Sequence, residues 1–217
     1  MKATPRDAGT GRGVIVPRMD DLPERQRVRR DLEKADRGAL IGSIVSGVFG
    51  VAWAFWGSSG LPHVAALCTQ LGATLLGLII VIAALKRQAG IPRSDASRNR
   101  TLFSSRAYIV IVVAEVLAIV GGNLILTATG LDQFRIALVS AVVGLHFVVF
   151  GRLFWSGFYW LGAAMLASAA VGTAVGAIAD DANLILVIVG FGSAASLFVA
   201  ATPALLRRAP SDEGAQP

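Results

Sequence analysis

Two ionisable side chains, Glu115 and His146, lie deep inside long apolar stretches of the sequence. An ionisable residue at the centre of a bilayer costs about 2.5–3.5 kcal/mol on insertion scales, so it usually faces other helices and has a partner. A carboxylate beside an imidazole has two uses. The pair can carry protons or coordinate a substrate cation, or it can hold two helices together by a hydrogen bond or an ion pair.

The two residues are expected to lie at the same depth. Glu115 precedes residue 131 by about 16 positions and His146 follows it by about 15, so at 1.5 Å per residue an antiparallel helical hairpin brings them level. In the structural interpretation, desolvation keeps Glu115 protonated at neutral pH unless the histidine holds the proton. His146 is then the hydrogen-bond partner of Glu115. In the functional interpretation, the pair moves protons or binds a cation.

Other polar groups in the apolar stretches are minor candidates. Asn123 completes the predicted intramembrane polar site with Glu115 and His146, and Gln70 is a further candidate for interhelical hydrogen bonding. The lone Cys68 is expected to be a small apolar filler. No phosphate loop, metal-ligand cluster or nucleophile motif occurs in the sequence, so no catalytic residue, cofactor or metal is predicted and the protein is expected not to be an enzyme.

The amino-acid composition indicates the class of protein to which these residues belong. The 217 residues are 54% hydrophobic and 16% charged, and the mean hydropathy is +0.65, whereas a soluble domain has roughly 25% charged residues. This excludes a water-soluble globule and a disordered chain, and the single cysteine excludes a disulfide scaffold. What remains is a polytopic membrane protein.

Six apolar stretches are long enough to cross about 30 Å of hydrocarbon as helices. Continuous apolar runs disfavour a transmembrane barrel, in which polarity alternates along each strand. The sequence therefore predicts an all-α integral membrane bundle of six transmembrane helices, over residues 38–58, 63–85, 107–129, 136–154, 158–179 and 184–206.

The basic residues predict the orientation, because lysine and arginine accumulate on the cytoplasmic side. In a six-span bundle, 19 of the 20 basic residues fall on one side and Arg135 alone falls on the other, together with Asp132, Asp180 and Asp181. Both termini are therefore expected in the cytoplasm, with the protein in the bacterial inner (plasma) membrane.

The chain divides into three segments by charge. Residues 1–37 form a cytoplasmic tail with a short juxtamembrane helix predicted over 22–36, residues 38–206 the transmembrane domain, and residues 207–217 a C-terminal tail. The lipid bilayer is the expected partner, and no nucleic-acid partner is expected, because no aromatic interleaving accompanies the basic loop. Positive-inside bias alone explains the basic clusters, but they could also bind anionic lipid headgroups. These clusters comprise Arg25, Arg27, Arg29 and Arg30 in the tail, and Lys86, Arg87, Arg93, Arg98 and Arg100 in the loop.

Small residues repeat every four positions in the first, fifth and sixth stretches, which lets helix backbones approach closely. The contacts are expected within one chain, although a homo-oligomer would use the same pattern. Trp53 and Trp56 are expected to be interfacial anchors, and Pro203 is expected to mark the end of the sixth helix. The ladders are Gly42, Ser46, Gly50 and Ala54; Ser168, Gly172 and Gly176; and Gly192, Ser196 and Ala200.

One segment carries a family resemblance. Gly144-Leu145-His146-Phe147, with Phe154 and Tyr159 following, resembles a signature of uncharacterised multispanning bacterial membrane proteins. In those proteins a proline stands two residues after the His-Phe pair, where this chain has Val149. The resemblance implies no activity, but it draws attention to His146.

Two function hypotheses follow. The first is a small transporter-like or permease-like bundle with Glu115 and His146 as its polar centre. The second is a non-catalytic membrane scaffold or accessory subunit, in which the same residues only hold helices together. A polar cavity that reaches Glu115 would favour the first, and a dry, close-packed bundle would favour the second.

Overall fold

The computed structural model describes residues 24–90, 106–153 and 156–206. The protein is all-α over these residues, and a single turn of 3₁₀ helix, Asp132–Phe134, precedes the fourth helix. The helices are α1 (Glu24–Ser58), α2 (His63–Ala89), α3 (Arg106–Ala128), α4 (Arg135–Leu153), α5 (Gly157–Ala179) and α6 (Ala182–Leu206).

All six helices contain a segment that is long and apolar enough to cross a membrane, as predicted. In α1 this segment is Asp36–Ser58, and the observed bounds elsewhere agree with the predicted ones within two residues, except that α2 continues to Ala89. Pro203 lies inside α6, three residues before Leu206, the last residue of the described helix and of the predicted one. It thus stands near the end of the helix, as expected, without stopping it, although its missing N–H removes one helical hydrogen bond to the preceding turn.

Several predictions concern residues outside the described ranges. They include the tail before Glu24, the loop residues Arg93, Arg98 and Arg100, and the C-terminal tail after Leu206. Of the predicted juxtamembrane helix, the part from Glu24 onward belongs to α1.

Consecutive helices alternate in direction, which gives the bundle two distinct ends. At one end, Arg87 near the end of α2 donates a hydrogen bond to the carbonyl of Ala204 near the end of α6, at 3.2 Å. We call this the basic end, because Lys86, Arg87, Arg106 and Arg152 lie at helix termini there. The opposite end carries Asp132, Arg135, Asp180 and Asp181.

The core is formed by α1, α4, α5 and α6. Ile136, Met165 and Val189 are at most 1% exposed and fill the space between these helices. Trp53 belongs to this core at 5% exposure, so the expectation that it is an interfacial anchor is wrong. Its face of α1 is covered because the neighbouring Gly57 lets α1 lie directly against α6.

Glycines set the closest helix contacts. A Cβ placed on Gly144 would lie 3.0 Å from the carbonyl oxygen of Gly162, and one placed on Gly57 would lie 2.9 Å from the Cα of Gly190. The α4–α5 and α1–α6 backbones therefore approach too closely for any larger residue at these positions. The bundle centre is close-packed as a result.

The predicted ladders are confirmed for α5 and only partly for the other helices. Gly172 and Gly176 are buried against α6 residues, whereas Gly42 has no atom near its would-be Cβ. In α1 the packed face runs through Gly50 and Ala54 of the predicted ladder, but also through Ser43 and Gly47 in place of Gly42 and Ser46. An apolar helix can carry small residues at four-residue spacing on more than one face. The sequence does not show which of these faces is packed, because that depends on the tertiary contacts.

The other two helices, α2 and α3, lie at the edge of the bundle. No residue of α3 with a described side chain is buried, and in α2 only Gly77, Ile80 and Ala84 are. Their exposed surfaces consist mostly of leucine, isoleucine and valine. Such surfaces suit a lipid environment, which is as apolar as these side chains.

Candidate functional site

The antiparallel pair α3 and α4 brings Glu115 and His146 together. The Nδ1 of His146 lies 2.8 Å from the Oε2 of Glu115, and the two side chains are 10% and 18% exposed, respectively. Glu115 lies nine residues from the start of α3, and His146 lies eleven residues from the start of α4, so both are near the middle of their helices. The equal depth that the sequence predicts is thus accompanied by a contact.

The contact is short but is not an aligned hydrogen bond. The Nδ1 of His146 is buried and has no hydrogen-bond partner of suitable geometry among the described residues. The two atoms therefore make a close polar contact whose direction departs from that of a good hydrogen bond.

Aromatic rings enclose the imidazole. The ring of His146 lies 4.0 Å from that of Phe150 between centroids, and Phe147 meets it edge-on at 5.6 Å. Tyr108 at the start of α3 contacts Phe150 at 5.6 Å, and Phe158 of α5 stacks on Phe147. The surroundings of the pair are consequently apolar on the α4 side, which strengthens any electrostatic contact there.

The pair lies at the edge of the bundle rather than at its centre. Glu115 belongs to α3, which packs against α4, while the core lies between α1, α4, α5 and α6. The pair therefore connects the peripheral α3 to the close-packed part of the bundle. Among the described residues, no group of three or more His, Cys, Asp or Glu side chains could hold a metal ion.

The remaining predicted polar residues lie apart from the pair. Asn123 is two helical turns farther along α3 and donates to the carbonyl of Ile119 in its own helix, at 2.8 Å. Gln70 donates to the hydroxyl of Ser58 at 2.8 Å and so links α2 to α1, which is the interhelical role predicted for it. Cys68 is exposed on α2 and fills no gap in the core, so its predicted packing role is wrong.

Buried serines make polar contacts that the sequence reasoning missed. The hydroxyl of Ser140 lies 2.9 Å from that of Ser193 and donates to the carbonyl of Met165, which joins α4, α6 and α5. Ser43 of α1 donates to the carbonyl of Ala201 in α6 at 3.0 Å. A serine within an apolar stretch is the only feature of the sequence that could have predicted these contacts. It is a weak one, because many such serines donate to a carbonyl of their own helix, as Ser168 and Ser196 do here.

Comparison of the chain with protein families, curated proteins and solved structures gave no match. The resemblance carried by residues 144–159 therefore stays a prediction, and the functional argument rests on the geometry alone.

Proposed function

We propose that this chain is a six-span integral membrane protein with both termini in the cytoplasm, acting as a non-catalytic scaffold or accessory subunit. The observation that carries the proposal is the position of the contact between Glu115 and His146, which lies near the middle of α3 and α4. Glu115 and His146 meet at the edge, between α3 and α4, while buried apolar side chains and serines fill the centre. The pair then serves to dock α3 against the rest of the bundle.

The close-packed centre supports this function. The glycine contacts between α4 and α5, and between α1 and α6, leave the backbones separated by little more than van der Waals distance. A substrate path between these helices would require them to separate. The separation would break the hydrogen bond between the hydroxyls of Ser140 and Ser193. A scaffold needs no such rearrangement.

The second candidate is a transporter-like bundle, and the chemistry of the pair favours it. Neutral side chains would dock α3 without the insertion cost of about 2.5–3.5 kcal/mol per charged residue. An ionisable pair at mid-helix is therefore a reason to test for proton movement. In this alternative α3 is the mobile helix, and Glu115 releases or accepts a proton as it leaves His146.

Vesicles with an imposed pH gradient distinguish the two candidates. The purified protein is reconstituted with a pH-sensitive dye inside, and the decay of the gradient is followed with and without a membrane potential. As a scaffold, the parent protein and the Glu115→Gln variant should leave the decay at the rate of protein-free vesicles. A faster decay with the parent that the folded Glu115→Gln variant does not show would establish the transport alternative instead.

Anionic lipid is the partner that we propose for the basic end. Lys86 and Arg87 lie in the last turn of α2, where cations also interact favourably with the helix dipole. Each basic residue near an anionic surface contributes about 1 kcal/mol, so headgroup binding would also fix the orientation of the bundle.

A further inference from the structure

Glu115 and His146 depend on each other for polar contact. The Oε2 of Glu115 and the Nδ1 of His146 lie 2.8 Å apart, and the Nδ1 atom is buried. Among the described residues, neither side chain makes a hydrogen bond or an ion pair with any other group. A charge on one of the two side chains is therefore balanced by the other side chain or is not balanced at all.

The surroundings of this pair are apolar. Apart from Glu115 and His146 themselves, α3 carries no polar side chain from Ile109 to Val120, and α4 carries none from Ala141 to Gly151. Two phenylalanine rings of α4 contact the imidazole. The part of Glu115 that is exposed faces lipid in the proposed membrane. A net charge on the pair consequently costs free energy, because nothing nearby solvates it.

The other titratable or charged groups of the neighbouring elements lie near helix ends. In α3 and α4 they are six or more residues from the pair, or about 9 Å along the helix. α1 has none from Gly38 to Ser58, and α6 has none over its whole length. The groups of the elements that pack on α3 and α4 are Arg106 and Tyr108 of α3, Asp132 of the 3₁₀ turn, Arg135 and Arg152 of α4, Tyr159 of α5, and Asp180 and Asp181 after α5.

The number of protons on the pair sets its net charge. With no proton the pair carries −1, with one proton it carries zero, whichever side chain holds the proton, and with two protons it carries +1. The one-proton form alone brings no net charge into the apolar surroundings, so the folded protein favours this form. Once the helices separate in detergent, water reaches both side chains and each of them titrates by itself.

The helix α3 is the element whose position depends most on the pair. No residue of α3 with a described side chain is buried, whereas the core lies between α1, α4, α5 and α6. The other close approach of α3 is that of Gly122 to the side chain of Leu138. A weaker contact between Glu115 and His146 therefore loosens α3 and leaves the core intact.

We propose that the pair is a pH-sensitive switch for the docking of α3, which is held most tightly while the pair carries one proton. The proposal rests on the docking role proposed above. Stability rises with pH where the separated helices bind more protons than the folded protein, and falls where they bind fewer. At acid pH the separated helices bind two protons and the folded pair one, and at alkaline pH they bind none. Stability therefore has a maximum between the two.

The test is thermal unfolding of the full chain in a mild detergent between about pH 4 and pH 9, which brackets the usual stability maximum at about pH 5–8. The double variant Glu115→Gln/His146→Gln removes both titrations, so its profile gives the pH dependence of the rest of the protein. We expect the melting temperature of the parent, minus that of the double variant, to pass through a maximum. His63→Gln is the matched control, because His63 is the other histidine of the chain and is exposed at the start of α2. This control should keep the whole profile.

Each single variant should lose one side of the profile. In Glu115→Gln the site is neutral until His146 gains a proton, so the difference from the double variant should fall towards acid pH alone. In His146→Gln the site is neutral until Glu115 loses its proton, so the difference should fall towards alkaline pH alone. A contact that is merely structural would not divide the profile in this way. If one single variant fails to fold, the other decides the outcome.

A constant difference between the parent and the double variant at every pH would overturn the switch and leave the docking role intact. Equal melting temperatures of these two proteins at every pH would overturn both. A folded single variant that keeps both sides of the profile would also contradict the proposal, because another group would then be titrating.

Discussion

At the scale of the residue, the contact between Glu115 and His146 combines a short distance with poor hydrogen-bond alignment. Aromatic rings on α4 surround the imidazole, so water cannot readily replace Glu115 as its partner. Loss of either side chain then leaves the other without its only identified polar contact among the described residues. The effect of replacing one of these residues on the free energy of unfolding should therefore depend on whether the other is present.

A double-mutant cycle measures this dependence. We expect Glu115→Leu and His146→Leu each to lower the free energy of unfolding by about 0.5–2 kcal/mol, the range for polar contacts between membrane helices. The double variant should be less destabilised than the sum of the two, because each single change already breaks the contact. Thermal unfolding in a mild detergent provides the measurement.

Ala118→Leu is the control for the cycle, since Ala118 lies on the same helix and is exposed. It should unfold like the parent. Additive effects in the cycle would show that the two side chains do not stabilise α3 through each other.

At the scale of the helix, stability depends on where glycine permits backbone contact. A Cβ at position 162 would lie 2.5 Å from the carbonyl oxygen of Gly144 and 2.9 Å from the backbone nitrogen of Val148. These are backbone atoms, which cannot rotate away as a side chain can. Adding one methyl group at position 162 must therefore push α4 and α5 apart.

We predict that Gly162→Ala lowers the free energy of unfolding by about 1–3 kcal/mol, as expected for overpacking of a tight contact. The matched change Gly121→Ala should be neutral or slightly stabilising, because position 121 has open space and alanine favours a helix over glycine. Thermal unfolding of both variants under the same conditions tests this. A Gly162→Ala protein as stable as Gly121→Ala would mean that α4 and α5 are not in backbone contact.

The sequence alone was sufficient for the helices but not for their contacts. Each apolar stretch has the length that a helix needs to cross the hydrocarbon of a bilayer, and the helix bounds agree with those predicted from this length. Counting residues along the hairpin also placed Glu115 and His146 at one depth. Which faces meet could not be predicted, because lipid-facing and protein-facing residues are equally apolar. Gly42 and Gly47 illustrate this, since one is open and the other packs against α2.

At the scale of the whole molecule, the distribution of charge and of exposed apolar surface supports one arrangement. The exposed leucine, isoleucine and valine side chains lie along the helices, where lipid would surround them. In the proposed six-span topology, 19 of the 20 basic residues of the sequence fall on the side assigned to both termini, and the acidic residues Asp132, Asp180 and Asp181 fall on the other. This is the asymmetry that the positive-inside rule predicts for a six-span protein.

Reporter fusions test most directly whether the six apolar helices cross the membrane with both termini in the cytoplasm. A reporter that is active on only one side of the membrane is fused at successive positions, one in each predicted loop and one in the C-terminal tail. We expect the reported side to alternate, beginning on the outside. Two adjacent positions that report the same side would contradict the arrangement. The fusion points are after Gly60, Asp95, Asp132, Trp155, Asp181 and Asp212.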